Sequence, residues 1–435
     1  MRHFNTILTF FNKKKSKVVK GKEKIIPILP TECMQRIFQY IQNDSTAKLY
    51  PSLLVNRYWS KNVVSFLWNR PFRSCSKHNR YKLINTLLMF FSLEETNLIN
   101  SKLKAYNIII PSQPNPLFNY SAMIHEIYYM GLEIFVSSYL KKITCLGSNE
   151  LHRKVQILFI TGSLFQMFLR QSPNLKTLVI DKEIYTMNLP NISIFTESNS
   201  NLTNLTKLRI NYDSKKILNT IQFLNYISKL CHNIHILEFK FNMNSYNVEL
   251  LQSISNTVIA QKGLKEFSLS NVVHIGIESI MMSLLTHINS LTSISLAFLQ
   301  LDQTTLDILL NLNQLKELRL CFCSCENLDN YTFIHSFNLY TLHLVELKEQ
   351  ITLTILQSSG NSIKQLGLNI KHIEILEIAL NYCPNLEEII LYYLSNENQN
   401  EKVVKRIIKS LEKSWREKLS LISFKEISTK PLIYY

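Results

Sequence analysis

The chain has 435 residues, 46% of them hydrophobic, and a mean hydropathy of zero, which describes a folded chain with room for two or three average domains or one small domain and an elongated array. No apolar run approaches the roughly 20 residues that cross a bilayer, and Ile7 to Phe11 is too short and wrongly flanked for a secretory signal, so a membrane-spanning protein is not expected. The formal charge of +16 divides into +7 over residues 1–24, +3 over 25–72, +1 over 73–400 and +5 over 401–435, so the ends are basic and the body is nearly neutral.

Residues 1–24 carry Lys13, Lys14, Lys15, Lys17, Lys20, Lys22 and Lys24 in a polar run with little to bury, which predicts a mobile basic tail. Such a run serves as a nuclear address, a contact for acidic surfaces or solvation of a terminus, and the opening MRHFNTILTFF also imitates a mitochondrial presequence, although those favour Arg and Ser.

Residues 28–72 read as three short helices. Thr31 caps the first, Ile37, Phe38 and Ile41 give it an apolar face, and Asn43-Asp44-Ser45 ends it. Leu53, Leu54 and Val55 belong to the second; Val63, Val64, Phe66, Leu67 and Trp68 belong to the third. So small a unit covers only part of its own apolar surface, so a partner surface is implied.

Leu29-Pro30, Glu32, Ile37-Phe38, Val55-Asn56-Arg57-Tyr58-Trp59 and Leu67-Trp68 stand in the order of an F-box, and the stretch resembles one. The resemblance covers about a tenth of the chain. It implies docking on a Skp-type adaptor, and through it a cullin-RING ubiquitin ligase, with Leu29, Pro30, Glu32, Ile37, Leu53, Val55, Trp59, Leu67 and Trp68 as the adaptor-binding residues. A plain helical hairpin capping a larger fold is the alternative.

Tyr81 to Phe91 reads as a helix, Ser92-x-x-Glu95 as a capping box opening the next, and Pro111, Pro114 and Pro116 as a linker, so 73–120 is a connector. Met123–Met130 and Val155–Ile160 look like short strands, with helical stretches at 134–140 and 164–170.

From residue 174 the phrase L-x-x-L-x-L or its apolar variant recurs. Its first positions are Leu175, Leu205, Ile234, Leu264, Leu291, Leu315, Leu339, Ile363 and Leu386, stepping by 23 to 30 residues. That period is the leucine-rich repeat. Each phrase is a strand, intervening stretches such as 217–230 and 248–259 have helical spacing, and the longer early repeats should carry longer helices. The expected fold is α/β: a three-helix F-box at 25–72, then a leucine-rich-repeat solenoid over 121–424, a horseshoe with parallel strands inside and helices outside. Pro-Asn-Leu at 173–175, Cys-Pro-Asn-Leu at 383–386 and Cys-His-Asn-Ile at 231–234 place a helix stop before a strand, similar to leucine-rich-repeat F-box proteins; the consensus Asn or Cys after the strand is often missing. After the polar loop 395–400, a basic amphipathic helix at 403–415 and a last strand at 419–424 would cap the array, and 425–435 is a tail.

Eight cysteines lack the spacing of a disulfide framework, which indicates a reducing compartment. Cys321, Cys323 and Cys325 have no second thiol pair to complete a zinc site, and Cys323 falls three after Leu320, on the repeat's own ladder. No phosphate loop, nucleophile elbow or metal-binding histidine spacing is present, so no enzyme, metal or cofactor is expected.

Specificity should therefore reside on the inner wall, where the third and fifth residues of each phrase point away from the leucines. Lys207, Arg209, Glu238, Glu266, Glu317, Arg319 and His343 are the target-binding candidates on this concave face. Mixed charge without an aromatic ladder or basic stripe suits a protein ligand rather than nucleic acid. The expected function is substrate recruitment in the cytoplasm or nucleus, with two alternatives: an interaction scaffold without ubiquitin transfer, and a nucleic-acid or membrane-surface binder using Lys13 to Lys24.

Overall fold

The structure is a computed structural model describing residues 29–43, 49–106, 108–110, 116–144, 150–181, 192–196, 201–213, 217–242, 247–272, 277–325, 338–369, 373–394 and 421–427. The basic tail 1–24, Pro111, Pro114, the loop 395–400 and the helix expected at 403–415 lie outside these residues. The chain divides into two compact units: Met1–Thr186 with Pro190–Asn204, and Met187–Leu189 with Leu205–Tyr435.

The first unit is mainly helical. Helix Thr31–Asn43 buries Met34 and Phe38, and Phe38 packs edge-on against Trp59 and Phe66 of helix Arg57–Trp68 at ring separations of 5.6 and 5.8 Å. Asn56 caps the latter, its side chain accepting from the Trp59 N–H at 2.8 Å. Between them lies only a 3-10 turn, Tyr50–Leu54, where the sequence suggests a second helix; Pro51 at its start suits a single short turn. Helices Arg80–Leu88 and Leu93–Leu103 follow, and the capping box is present in full: Ser92 Oγ accepts from Glu95 N–H at 3.1 Å and Glu95 Oε2 from Ser92 N–H at 2.8 Å.

The unit packs across the proline-containing segment. Trp68 stacks on Tyr120 at 4.2 Å, and Phe72 meets Phe135 and Phe168. Strand β1 (Glu126–Tyr128) is all that forms of the strand expected at 123–130, since helix Tyr129–Ile143 begins at once. The other expected strand, Val155–Ile160, is part of helix Glu150–Gln171. Its apolar run continues at helical spacing, with Ile157, Ile160, Leu164, Met167 and Phe168 fully buried, and a 22-residue periodic stripe outweighs six residues of local β-propensity. Strand β2 (Thr177–Ile180) pairs in parallel with β1.

The second unit is a repeating strand–helix array. Its strands are β3 (Lys207–Asp213), β4 (Ile236–Asn242), β5 (Glu266–Ser270), β6 (Ser293–Ala297), the short β7 (Gln300–Leu301), β8 (Glu317–Cys321), the short β9 (Ser324–Cys325), β10 (Thr341–Val345), β11 (Gln365–Asn369), β12 (Glu388–Leu394) and β13 (Leu421–Ile427). Nine of them pair in parallel in the order β3-β4-β5-β6-β8-β10-β11-β12-β13, and β7 pairs with β9. The register never slips: Lys207, Ile236, Glu266, Ser293, Glu317, Thr341, Gln365, Glu388 and Leu421 stand side by side. The leucine positions therefore stack as well, and Leu208, Leu237, Phe267, Ile294, Leu318, Leu342, Leu366 and Ile389 form one buried row.

Helices Ile217–Leu230 and Val248–Ile259 coincide with the helical stretches read from the sequence, with 14 and 12 residues, and those after β5 and β6 have 8 each, whereas Glu349–Ser359 in a 24-residue step has 11. Helices end at Gln171, Leu230 and Tyr382, just before the Pro-Asn-Leu or His-Asn-Ile segments. Gln261, buried, braces one turn to the next, donating to the Cys231 carbonyl at 3.0 Å and accepting from Ile234 N–H at 2.9 Å.

A left-handed residue follows four of the strands: Asn271 (φ 59°), Phe298 (φ 55°), Phe322 (φ 55°) and Glu346 (φ 52°). The turn extends the ladder, because Asn271, Phe298 and Phe322 each donate N–H to the last carbonyl of the neighbouring strand at 2.7–3.0 Å. It also drops Val272, Leu299, Cys323 and Leu347, the next residues, into the core.

Gly360 closes the helix Glu349–Ser359 against the following repeat. A Cβ there would lie 2.1 Å from the Tyr382 carbonyl oxygen and 2.7 Å from its carbon, both backbone atoms. Gly360→Ala should destabilise the array by about 1–3 kcal/mol, the usual cost of overpacking; urea unfolding followed by circular dichroism measures it, and an unchanged midpoint would show that the two turns separate freely.

Candidate functional site

Two surfaces, one on each unit, hold the residues singled out in the sequence. On the first, Leu29 is 46% exposed, Val55 and Leu54 are each 56% exposed, and Ile37 is 38% exposed, while Pro30 and Glu32 also face solvent. Tyr58 fixes the start of this segment: its hydroxyl donates to the Leu29 carbonyl at 2.6 Å and lies 3.3 Å from Thr31 Oγ1. Trp59 and Leu67 are half-buried, so each shows part of its side chain. Leu53 and Trp68 are placed inside instead, Trp68 because Tyr120 covers its ring. Ile37 lies on the helix and Leu54 on the 3-10 turn, with Leu29 just before the one and Val55 just after the other.

On the second unit the outward rows of the sheet are cross-linked between strands. Glu238 accepts from Lys207 Nζ at 2.5 Å and from Arg209 Nε, so the two early basic residues share one carboxylate. Burial acts to raise the Glu238 carboxyl, but the hydrogen bonds from Arg209 and Lys207 outweigh it and hold it below the ordinary range. Glu317 binds Arg319 at 2.5 Å and accepts from Ser293 Oγ at 3.1 Å; Gln365 donates to Glu388 at 2.6 Å. Glu266 is exposed. Six of the seven expected wall residues thus reach solvent at least in part.

His343 does not. It occupies the expected row yet is 2% exposed, because Gly367 beside it has no side chain and Tyr392, one strand further, leans over the gap to hydrogen-bond His343 Nδ1 at 3.0 Å. A Cβ on Gly367 would meet His343 Nδ1 at 2.2 Å and Tyr392 Cε2 at 2.8 Å. The signal was in the sequence as the lone glycine of the wall, but the tyrosine that fills it belongs to a different row.

Cys321, Cys323 and Cys325 are all buried, and burial pushes their thiols up to about 11, 12 and 11. Cys323 Sγ lies 3.5 Å from the Leu296 carbonyl, as its ladder position requires, while Cys321 packs with Val345, Ala297, Phe322 and Tyr392. Among the described residues no group of three His, Cys, Asp or Glu could hold a metal, and no helix is long and apolar enough to cross a membrane.

With strand register, repeat period and core rows established, comparison with known proteins bears on the array. Residues 256–411 match a family model described as FBD-associated F-box protein At5g56370, LRR repeats. The matched part of the array is similar to the leucine-rich repeats of such F-box-associated proteins. The match spans β5 to β12, and the resemblance to an F-box protein with leucine-rich repeats, drawn from residues 28–72 and from the repeat period, is supported by it. Among curated proteins none matches the chain.

His343 supplies a pH dependence. Burial, with Arg319 and Lys425 as nearby cations, pushes its imidazole down to about 3, against about 6.5 when unfolded. Between those values the unfolded chain binds the extra proton, so this contribution to stability is fully present above about pH 6.5 and is lost as pH falls towards 3. Urea unfolding at pH 7.5 and 5.0 should show the wild type losing up to about 2 kcal/mol more than His343→Gln, at about 1.4 kcal/mol per pH unit; equal losses would contradict the buried neutral imidazole.

Proposed function

We propose that the chain is a substrate-recognition subunit of an SCF-type cullin-RING ubiquitin ligase. Residues 25–72 are an F-box, with a 3-10 turn between its two helices, that binds a Skp-type adaptor, 73–120 a connector, and 121–424 a leucine-rich-repeat horseshoe that binds a target protein. The observation that carries the reading is the ordered set Leu29-Pro30, Glu32, Ile37 and Val55 facing solvent on a chain whose repeats match an F-box-associated model. The subunit itself catalyses nothing: it raises the effective concentration of the target at the charged ubiquitin carrier, in the cytoplasm or nucleus. The basic tail 1–24 is outside this mechanism.

Changing Leu29 and Pro30 together to Ala should cut capture of the adaptor at least tenfold while circular dichroism stays unchanged, because interfaces concentrate their energy in a few apolar anchors. Undiminished capture would sink the F-box reading. Capture of adaptor without cullin would favour an interaction scaffold.

For the target, Lys207→Glu with Arg209→Glu places three carboxylates where Glu238 now binds two cations. The double variant should lose one set of co-purifying proteins and keep the adaptor, since complementarity of charge selects partners. An unaltered set, read by quantitative mass spectrometry, would move the target site off this part of the wall.

A further inference from the structure

The edge of the second unit at which helices end and strands begin has no role in the surfaces described so far. Its segments 229–235, 260–265, 287–292 and 311–316, each running from a helix end to the next strand, hold no Asp or Glu but carry Lys229, Lys262, Lys265 and Lys316. All four lysines are exposed, and none has a hydrogen-bond or ion-pair partner among the described residues. The opposite edge, where helices begin, carries Glu249, Glu278, Asp302 and Glu349 instead. A helix macrodipole favours a cation at the C-terminus, which accounts for Lys229 in the last turn of its helix. It does not account for Lys265 and Lys316, which stand one residue ahead of β5 and β8.

These two lysines hold equivalent places in the ladder. The Lys265 carbonyl accepts the Thr292 N–H at 2.9 Å, and the Thr292 carbonyl accepts the Lys316 N–H at 2.9 Å. One strand therefore lies between them, and they stand two strand spacings, about 10 Å, apart. Lys262, whose N–H donates to the His232 carbonyl at 2.8 Å, adds a third charge three residues before Lys265. Glu266 and Glu317 follow Lys265 and Lys316 in the chain but pair with neither, and Glu317 is bound to Arg319 and Ser293. Further along the edge Lys364 already has a carboxylate, that of Glu387 at 2.6 Å.

Unpaired cations held along one edge repel one another, and an anionic partner relieves this without displacing an existing pair. The charge is spread over about 10 Å, so a run of carboxylates fits it better than a single anion. Acidic segments extend by self-repulsion, and in a polyproline II conformation every third side chain projects the same way, about 9 Å further on. Carboxylates three residues apart thus match Lys265 and Lys316.

We infer that Lys262, Lys265 and Lys316 form a docking rail for an extended acidic segment of a protein ligand, with carboxylates at every third position. The inference rests on the repeat array being the target-binding module, and it names a chemistry that its edge selects.

The probe is a labelled peptide of four Glu-Pro-Pro triplets, and its control has Gln in place of each Glu; binding to the full-length chain is read by fluorescence anisotropy. The Glu peptide should bind about tenfold more tightly, because each exposed pair contributes little and several act together. Lys265→Glu with Lys316→Glu should abolish that preference, and Lys265→Gln with Lys316→Gln should reduce it to about threefold. Both double variants should keep the unfolding midpoint within a few degrees, since neither lysine has a partner to lose. Changing Lys13, Lys14 and Lys15 to Gln should leave the preference within about twofold, which separates the edge from the basic tail. Equal binding of the two peptides, a preference undiminished in the folded double variants, or a preference lost with the tail lysines overturns the rail. Tighter binding of a twelve-nucleotide single-stranded RNA, weakened by the same changes at Lys265 and Lys316, overturns it too and assigns the edge to nucleic acid. Should the charge-reversed variant fail to fold, the Gln variant decides. Adaptor capture is read separately, so failure here leaves the ligase reading standing, and loss of adaptor binding leaves the peptide preference to be judged by itself.

Discussion

Unbroken parallel register is the constraint on which the second unit depends. Because Lys207, Ile236, Glu266, Ser293, Glu317, Thr341, Gln365 and Glu388 stand abreast, a residue's place in its phrase decides whether it meets leucine, solvent or its counterpart in the next repeat. One residue's slip would exchange the two faces of a strand, exposing Leu318 and Leu320 and burying Glu317 and Arg319. The left-handed residues after the strands serve the same constraint, since Asn271, Phe298 and Phe322 carry the ladder one bond further before the chain turns into its core.

Rows also govern the chemistry of the outward face. Outward side chains on neighbouring strands, or two residues apart on one strand, lie close enough to bind one another. Glu238 gathers Lys207 and Arg209 from the strand beside it, and Glu317 gathers Ser293 from the next strand and Arg319 from its own. A wall that looks like alternating basic and acidic patches in the sequence is largely neutralised within itself. A ligand must then compete with existing pairs, which weakens contacts of the wrong geometry more than those of the right one.

Legibility followed the range of the interactions. Local signals were readable: the Ser92–Glu95 box, the helices at 217–230 and 248–259, and each strand phrase all depend on residues within a few positions of one another. Val155–Ile160 misled because six apolar residues carry no period of their own until the stripe from Ile157 to Phe168 is taken whole. Trp68 and His343 were beyond reading for a different reason. Their burial is decided by Tyr120 and Tyr392, 52 and 49 residues away, and nothing next to either residue announces it. The stacked pair Phe298 and Phe322 was legible in principle, as aromatics two residues beyond the last leucine of consecutive phrases, but the left-handed backbone that carries both rings was not.

The pairing of each strand only with those of adjacent repeats has a kinetic side. Partners such as Leu318 and Leu342 are 24 residues apart, and no described strand of this unit needs a distant segment before it can form. The chain can therefore begin to fold at any well-packed pair of repeats and grow outward in both directions, and it comes apart from its ends. The middle repeats, from β5 to β10, lie furthest from either end, and these are the ones that carry the aromatic pair and the thiols of Cys321 and Cys323. Under partial unfolding, that segment is the last to exchange its amide hydrogens and the last to show its cysteines to solvent.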